Sequence, residues 1–264
     1  MNAAWSGLVT AGMTDWGRYL SAAVLVAVRL SGLLLFAPVF SSAAIAPRIK
    51  AGFVLAMTML LAPVVGLVPD SGAELGVQSV LGELGVGLLF GLCLMMLTES
   101  LLLAGSLIGM SFSFSLVNLL DPNTRVETPV LGQMLGWLGL LVMIALGLDR
   151  VLLAAVVRSF CVVPVGHAVL EAQSAAAVVK MAGGVFLAGL QLAAPVMAAG
   201  LVVEMAVSMV SRLAPMLPAH VVGIPIKTLT SYVVLAASLG VWPRCIEGHF
   251  VALLDAAEKL LVRR

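Results

Sequence analysis

The chain has 264 residues, of which 62% are hydrophobic and only 10% charged. Its mean hydropathy is +1.16. A soluble globular domain carries about a quarter charged residues, so this composition describes an integral membrane protein. The net charge of +1 offers no polybasic surface for nucleic acid.

Taken in chain order, residues 1–17 contain no basic residue before Arg18, so the first apolar run lacks the charged start of a signal peptide. Ala44-Ile45-Ala46 resembles a cleavage triplet, but Arg29 interrupts the run before it and Pro47 follows it, which predicts a retained helix over Leu20–Phe40. Arg18, Arg29 and Gly32 share one face of that helix and mark its protein-facing side. A second run extends from Lys50 to about Val68, and Pro69 to Glu83 is polar enough to be a connection. The third run, Leu84–Leu103, carries Gly87 and Gly91 as a small-xxx-small pair. Val130–Leu148, Val185–Val210 and Val221–Trp242 are the remaining runs, with the more polar Asp149–Lys180 between the first two and a charged helix at Glu247–Arg264.

Each long run approaches the roughly 20 apolar residues of a membrane crossing. The expected fold is therefore all-α: one polytopic membrane domain over residues 1–264, with about six hydrophobic segments broken by Pro and Gly into helices and hairpins. Basic residues concentrate in the 149–180 connection and at the C-terminus, which for six crossings places both ends in the cytoplasm.

The stretch from Gly105 to Pro129 is polar yet nearly uncharged. Ser111, Ser113 and Ser115 alternate with Phe112 and Phe114, followed by Asn118 and then Asp121-Pro122, which stops a helix. An open strand cannot stand in hydrocarbon, so protein must enclose this stretch, and small polar side chains there suit the lining of a passage. The alternative is a packed helix whose serines bond back to their own carbonyls, with Gly105 and Gly109 as its contact surface.

Four charges fall inside apolar runs: Arg29, Glu99, Glu204 and Lys227. A charge at mid-bilayer costs a few kcal/mol, roughly, unless paired. Glu99 and Glu204 are the expected partners of Arg29. Glu204, Ser208, Ser211 and Arg212 share a helical face that suits structural pairing better than a proton relay, which needs carboxylates in series.

Catalytic parts are missing. His167, His220 and His249 have no metal-ligand spacing, no phosphate-binding loop or nucleophile elbow occurs, and Cys93, Cys161 and Cys245 lie far apart in apolar surroundings. No cofactor is expected. A small-solute transporter with broken helices is the main rival reading, although the chain shows no convincing internal repeat.

An ordered set of short motifs carries a resemblance. Arg29-x-x-Gly32 with Pro38, Ile45-x-Pro47, Pro63, Gly105-x-x-Ile108-Gly109, Asp121-Pro122 with Pro129-Val-Leu131, Phe160 with Pro164-x-Gly166, Pro195, and Ser211-Arg212-x-Ala-Pro215-x-Leu217 with Gly223-x-Pro225-x-Lys227 resemble the FliR family of flagellar export-gate proteins. The similarity runs from about Arg18 to Leu254. It implies a non-enzymatic subunit of the type III export gate in the bacterial inner membrane, at the flagellar basal body. It further implies assembly with FliP-like and FliQ-like subunits, association with an FlhB-like subunit, and passage of unfolded exported proteins. In that family the segment matching Ser111–Asp121 closes the pore as a plug. The virulence counterpart, the T component of type III secretion, is the alternative system.

Overall fold

The computed structural model describes residues 2–37, 45–65, 75–112, 130–168, 172–213 and 219–262. Among these the secondary structure is helical throughout: α1 (Asn2–Phe36), α2 (Pro47–Val65), α3 (Val77–Ser111), α4 (Val130–Ala145), α5 (Leu148–Val162), α6 (Ala172–Leu213), α7 (Ala219–Ser238) and α8 (Trp242–Val262). Helix is what the sequence requires, because a segment in hydrocarbon must satisfy its own backbone N–H and C=O groups.

Three helices contain stretches long and apolar enough to cross a membrane alone: Tyr19–Phe36, Val77–Ser111 and Val178–Leu213. Two bent pairs, Gly132–Ala145 with Leu148–Val162 and Gly223–Ser238 with Trp242–Leu261, bring the number to five if each pair is one span. Among the described residues there are thus three to five candidate spans, which agree with a polytopic all-α membrane protein. Hydropathy counts runs, and the structure joins and bends them. α3 has 35 residues and α6 has 42, so at 1.5 Å per residue they extend about 52 Å and about 63 Å, well beyond a hydrocarbon core of about 30 Å.

The sharp breaks fall at glycines. α4 and α5 bend by 63° across Leu146-Gly147, where Gly147 has φ 68°, a conformation that side chains with a Cβ disfavour. α7 and α8 bend by 61° across Leu239-Gly240-Val241. Pro63, Pro195 and Pro225 instead lie inside continuous helices.

A correction concerns the connection expected to reach Glu83. α3 begins at Val77, so Glu83 is helical, and its side chain is fully buried.

Contacts divide the chain into two compact units, one formed by residues 1–95, 149–179 and 252–264, the other by 96–148 and 180–251. In the first unit α1 buries a stripe of Ala22, Leu25, Val26, Arg29, Leu30 and Leu33, the i, i+3, i+4 spacing of one helix face. α1 and α3 meet almost backbone to backbone. A Cβ on Gly87 would lie 2.0 Å from the Arg29 carbonyl oxygen, one on Gly91 2.6 Å from that of Leu33, and one on Gly32 2.8 Å from that of Leu84. Small residues permit this approach, which dispersion and close packing then stabilise in lipid. In the same unit α8 buries Leu254 and Ala257, and Cys93 of α3 lies with its Sγ 3.7 Å from the Leu253 carbonyl.

The second unit buries Leu97, Leu101, Ala104 and Ile108 from α3, Phe112 just after it, and Ala188, Leu192 and Val196 from α6. Gly105 of α3 faces Gly132 of α4, where a Cβ would come 2.5 Å from the carbonyl oxygen. Gly109 is buried as well. The C-terminal half of α6 leaves Leu201, Val202, Met205, Met209 and Val210 exposed, an apolar surface suited to lipid or another subunit.

Candidate functional site

In the first unit the polar centre is Arg29. Its Nε donates to Glu83 Oε2 at 2.6 Å, Nη1 to Ser159 Oγ at 3.0 Å, and Nη2 to the Val163 carbonyl at 3.2 Å. The guanidinium carbon stands 4.2 Å from the centroid of the Phe160 ring, a cation–π contact. The expected partners Glu99 and Glu204 are thus corrected to Glu83. Glu99 is exposed on α3 and Glu204 belongs to the second unit. Reading by hydropathy picks out Glu99 because it interrupts an apolar run, whereas the real partner hides at the polar start of the same helix.

Further hydrogen bonds join the cluster's members to one another and to the backbone. The Ser159 hydroxyl spends its single proton on the Val156 carbonyl at 2.6 Å, which leaves a lone pair for Arg29. Glu83 Oε1 accepts the Gly166 N–H at 2.8 Å. Gly166 has φ 87°, so this turn depends on glycine to aim its amide at the carboxylate. Pro164 starts the turn and its carbonyl accepts the His167 N–H at 3.1 Å. Gly82 completes the fit, since a Cβ there would come 1.9 Å from the Ala168 carbonyl oxygen. The cluster therefore ties α1, α3, α5 and the turn after α5 around one buried ion pair. Phe160 and Pro164-x-Gly166 stand in the sequence motifs; Glu83, Ser159 and Gly82 carry no such signal.

The second unit holds the beginning of the central polar stretch. Ser111 ends α3 and its Oγ donates to the Leu107 carbonyl at 3.3 Å. Ser106 likewise donates to Leu103 at 2.8 Å, so both of these serines bond back to their own helix. Phe112 is buried, its amide donates to the Gly109 carbonyl at 3.2 Å, and its ring meets Tyr232 of α7 with centroids 4.4 Å apart and planes tilted by 59°. Such tilted pairs contribute about 0.5–1.5 kcal/mol beyond area burial. Ser113, Phe114, Ser115, Asn118, Asp121 and Pro122 lie outside the described residues.

Lys227 of α7 donates to the Glu204 carboxylate on α6. The pair is asymmetric: the Lys227 side chain is 14% exposed and that of Glu204 54%. Arg212 is exposed near the end of α6. Among the described residues no group of three or more His, Cys, Asp or Glu side chains is placed to hold a metal ion.

Comparison with known proteins extends this picture across the chain. A family model described as "Bacterial export proteins, family 1" matches residues 20–253. The flagellar biosynthetic protein FliR of Caulobacter vibrioides is 32% identical over 221 residues, covering 82% of this chain and 88% of that protein. Proteins of the same name from Bacillus subtilis, 27% identical over 90% of this chain and 93% of the relative, and from Escherichia coli, 28% identical over 80% and 81%, are similar along nearly their whole lengths. With its helical architecture and apolar spans, the chain belongs to the bacterial export proteins, family 1, and within them to the FliR proteins of the flagellum.

Proposed function

We propose that this chain is a subunit of the flagellar type III protein export gate in the bacterial inner membrane, and that it works by shaping and closing a passage rather than by catalysis. The full-length similarity to flagellar FliR proteins carries this reading. The chemistry of the chain agrees with it, since Arg29 pairs with Glu83 in the interior and the largely covered Lys227 with Glu204. The flagellar system is favoured over a virulence secretion system because each relative compared above is a flagellar protein.

On this reading the stretch that begins at Ser111 closes the channel. Alternating small polar and aromatic side chains pack against one another when closed and tolerate a passing polypeptide when displaced. Its root is anchored, because Phe112 is buried against Tyr232. The partners are FliP-like and FliQ-like subunits in the same gate, with an FlhB-like subunit alongside and unfolded exported proteins as passing substrates. The exposed apolar surface of α6 is the kind of face such an assembly covers.

Co-expression tests the proposal. The chain is expected to purify as a monodisperse complex with FliP-like and FliQ-like subunits and to aggregate without them, as judged by size-exclusion chromatography with light scattering. A well-behaved monomer that captures neither subunit contradicts the gate reading.

A further inference from the structure

We infer that α6 carries a joint at Gly183-Gly184, just past the point where it leaves the first compact unit for the second, and that export bends the helix there. The second half of this inference rests on the gate reading given above. α6 passes from one unit to the other between residues 179 and 180. Gly183 and Gly184 follow one turn later, both exposed, and a Cβ on either would meet nothing within 4 Å.

The pair weakens α6, since glycine favours helix less than any residue but proline, and no neighbour among the described residues needs the space. Gly189 of the same helix is the contrast. A Cβ there would lie 2.9 Å from Leu103 Cδ2 and 3.0 Å from the Ser100 carbonyl oxygen, so close packing on α3 accounts for that glycine. The helix around the pair is also thinly supported. From Val179 to Leu187, Met181 is buried and Val185 half-buried, and every other residue is exposed. Sharp bends in helices gather at such glycine pairs, and segments with few buried contacts are the first to yield.

The remaining passages between the units separate into the same two kinds. At 148–149 the chain crosses beside Gly147, where α4 and α5 already bend by 63°. At 251–252 it crosses in α8 just after Gly248, whose Cβ would again meet nothing within 4 Å. Gly17 and Gly52 stand open too, but singly and far from any crossing. α3 crosses at 95–96 without a glycine between Leu92 and Ala104, and buries Cys93, Leu94, Met96 and Leu97 around the crossing. It is the stiff member against which a bend in α6 can be measured.

Double electron–electron resonance reads the joint, on the full chain purified from its own cells with the subunits that accompany it and placed in lipid nanodiscs. The native cysteines are changed to alanine. Spin labels at residues 179 and 194 flank the glycine pair on α6, and labels at 81 and 99 flank the crossing of α3; all four positions are exposed. Straight helices set these pairs about 22 Å and about 27 Å apart. The α6 pair is expected to show a broad, shorter component that the α3 pair lacks. Gly183→Ala combined with Gly184→Ala is expected to remove it, because the two changes favour the straight form by about twentyfold. The same variant is expected to keep its accompanying subunits and to lower secretion of flagellar proteins by up to that factor, since the bent fraction is the competent one. A wild-type α6 distribution as narrow as that of α3 overturns the joint. Bending removed with secretion at the wild-type level overturns its use in export. Loss of the accompanying subunits in the alanine variant makes the glycines a contact surface and overturns the inference as a whole. A strain lacking the chain that still secretes flagellar proteins overturns the gate reading, and the resonance result on the joint then stands by itself.

Discussion

Arg29→Leu is expected to abolish recovery of the folded chain, and so is Glu83→Leu, whereas the double variant is expected to recover a substantial part. The reason is the full burial of both side chains at 2.6 Å in the first unit. Bringing two ions out of water costs several kcal/mol each, roughly, and their attraction offsets this only when the remaining donors and acceptors are also satisfied. Here Ser159 and the Val163 carbonyl accept from the guanidinium and the Gly166 amide donates to the carboxylate. Removing one partner strands the other as an uncompensated buried charge, a loss of about 3–5 kcal/mol. Removing both eliminates the stranded charge and leaves a cavity with fewer unsatisfied groups. Protease resistance and complex yield measured for the two single variants and the double variant give the coupling directly. Equal losses in all three contradict the pairing.

Gly87→Ala is expected to be nearly as damaging, although it adds a single methyl group. The new Cβ would stand 2.0 Å from the Arg29 carbonyl oxygen and 2.9 Å from its carbon. Both are backbone atoms of the opposing helix, so no side-chain rotation relieves the clash. α3 must move away from α1, and that movement stretches the Arg29–Glu83 bond one helical turn away. Overpacking alone costs about 1–3 kcal/mol, and the disturbed ion pair adds to it. Gly52→Ala on α2 is the matching control, because nothing lies within 4 Å of its would-be Cβ and its surface is open. There the change favours helix by roughly 1 kcal/mol at most. Thermal unfolding in detergent should separate the two variants, and a Gly87→Ala protein as stable as the Gly52→Ala protein contradicts the close crossing.

The sequence shows the helices because apolar runs of this length leave the backbone no alternative in a membrane. Gly87 and Gly91 are legible for the same reason, as small residues at helical spacing signal a close crossing. Glu83 is not legible. It stands among Gln78, Ser79 and Gly82, and a polar start to a long helix has the same hydropathy as a loop. Only the three-dimensional placement of Arg29 reveals that this polar end faces protein. Glu99 misleads in the opposite sense, because an acidic residue within an apolar run signals burial by composition but sits on the open side of α3. The Glu204–Lys227 pair joins α6 to α7 over 23 positions, and no local pattern connects them. The number of crossings is obscured by the bends at Gly147 and at 239–241, which split apolar stretches without changing their composition.

Exposure of the central stretch during export tests the account most directly. Single cysteines replacing Ser113 or Ser115, in a chain whose Cys93, Cys161 and Cys245 are changed to alanine, are to be treated with a membrane-impermeant thiol reagent in cells with export running and in cells with export halted. The account predicts labelling when export runs and protection when it is halted, because a closing segment meets water only when displaced. Protection in both states contradicts it and makes the stretch static packing.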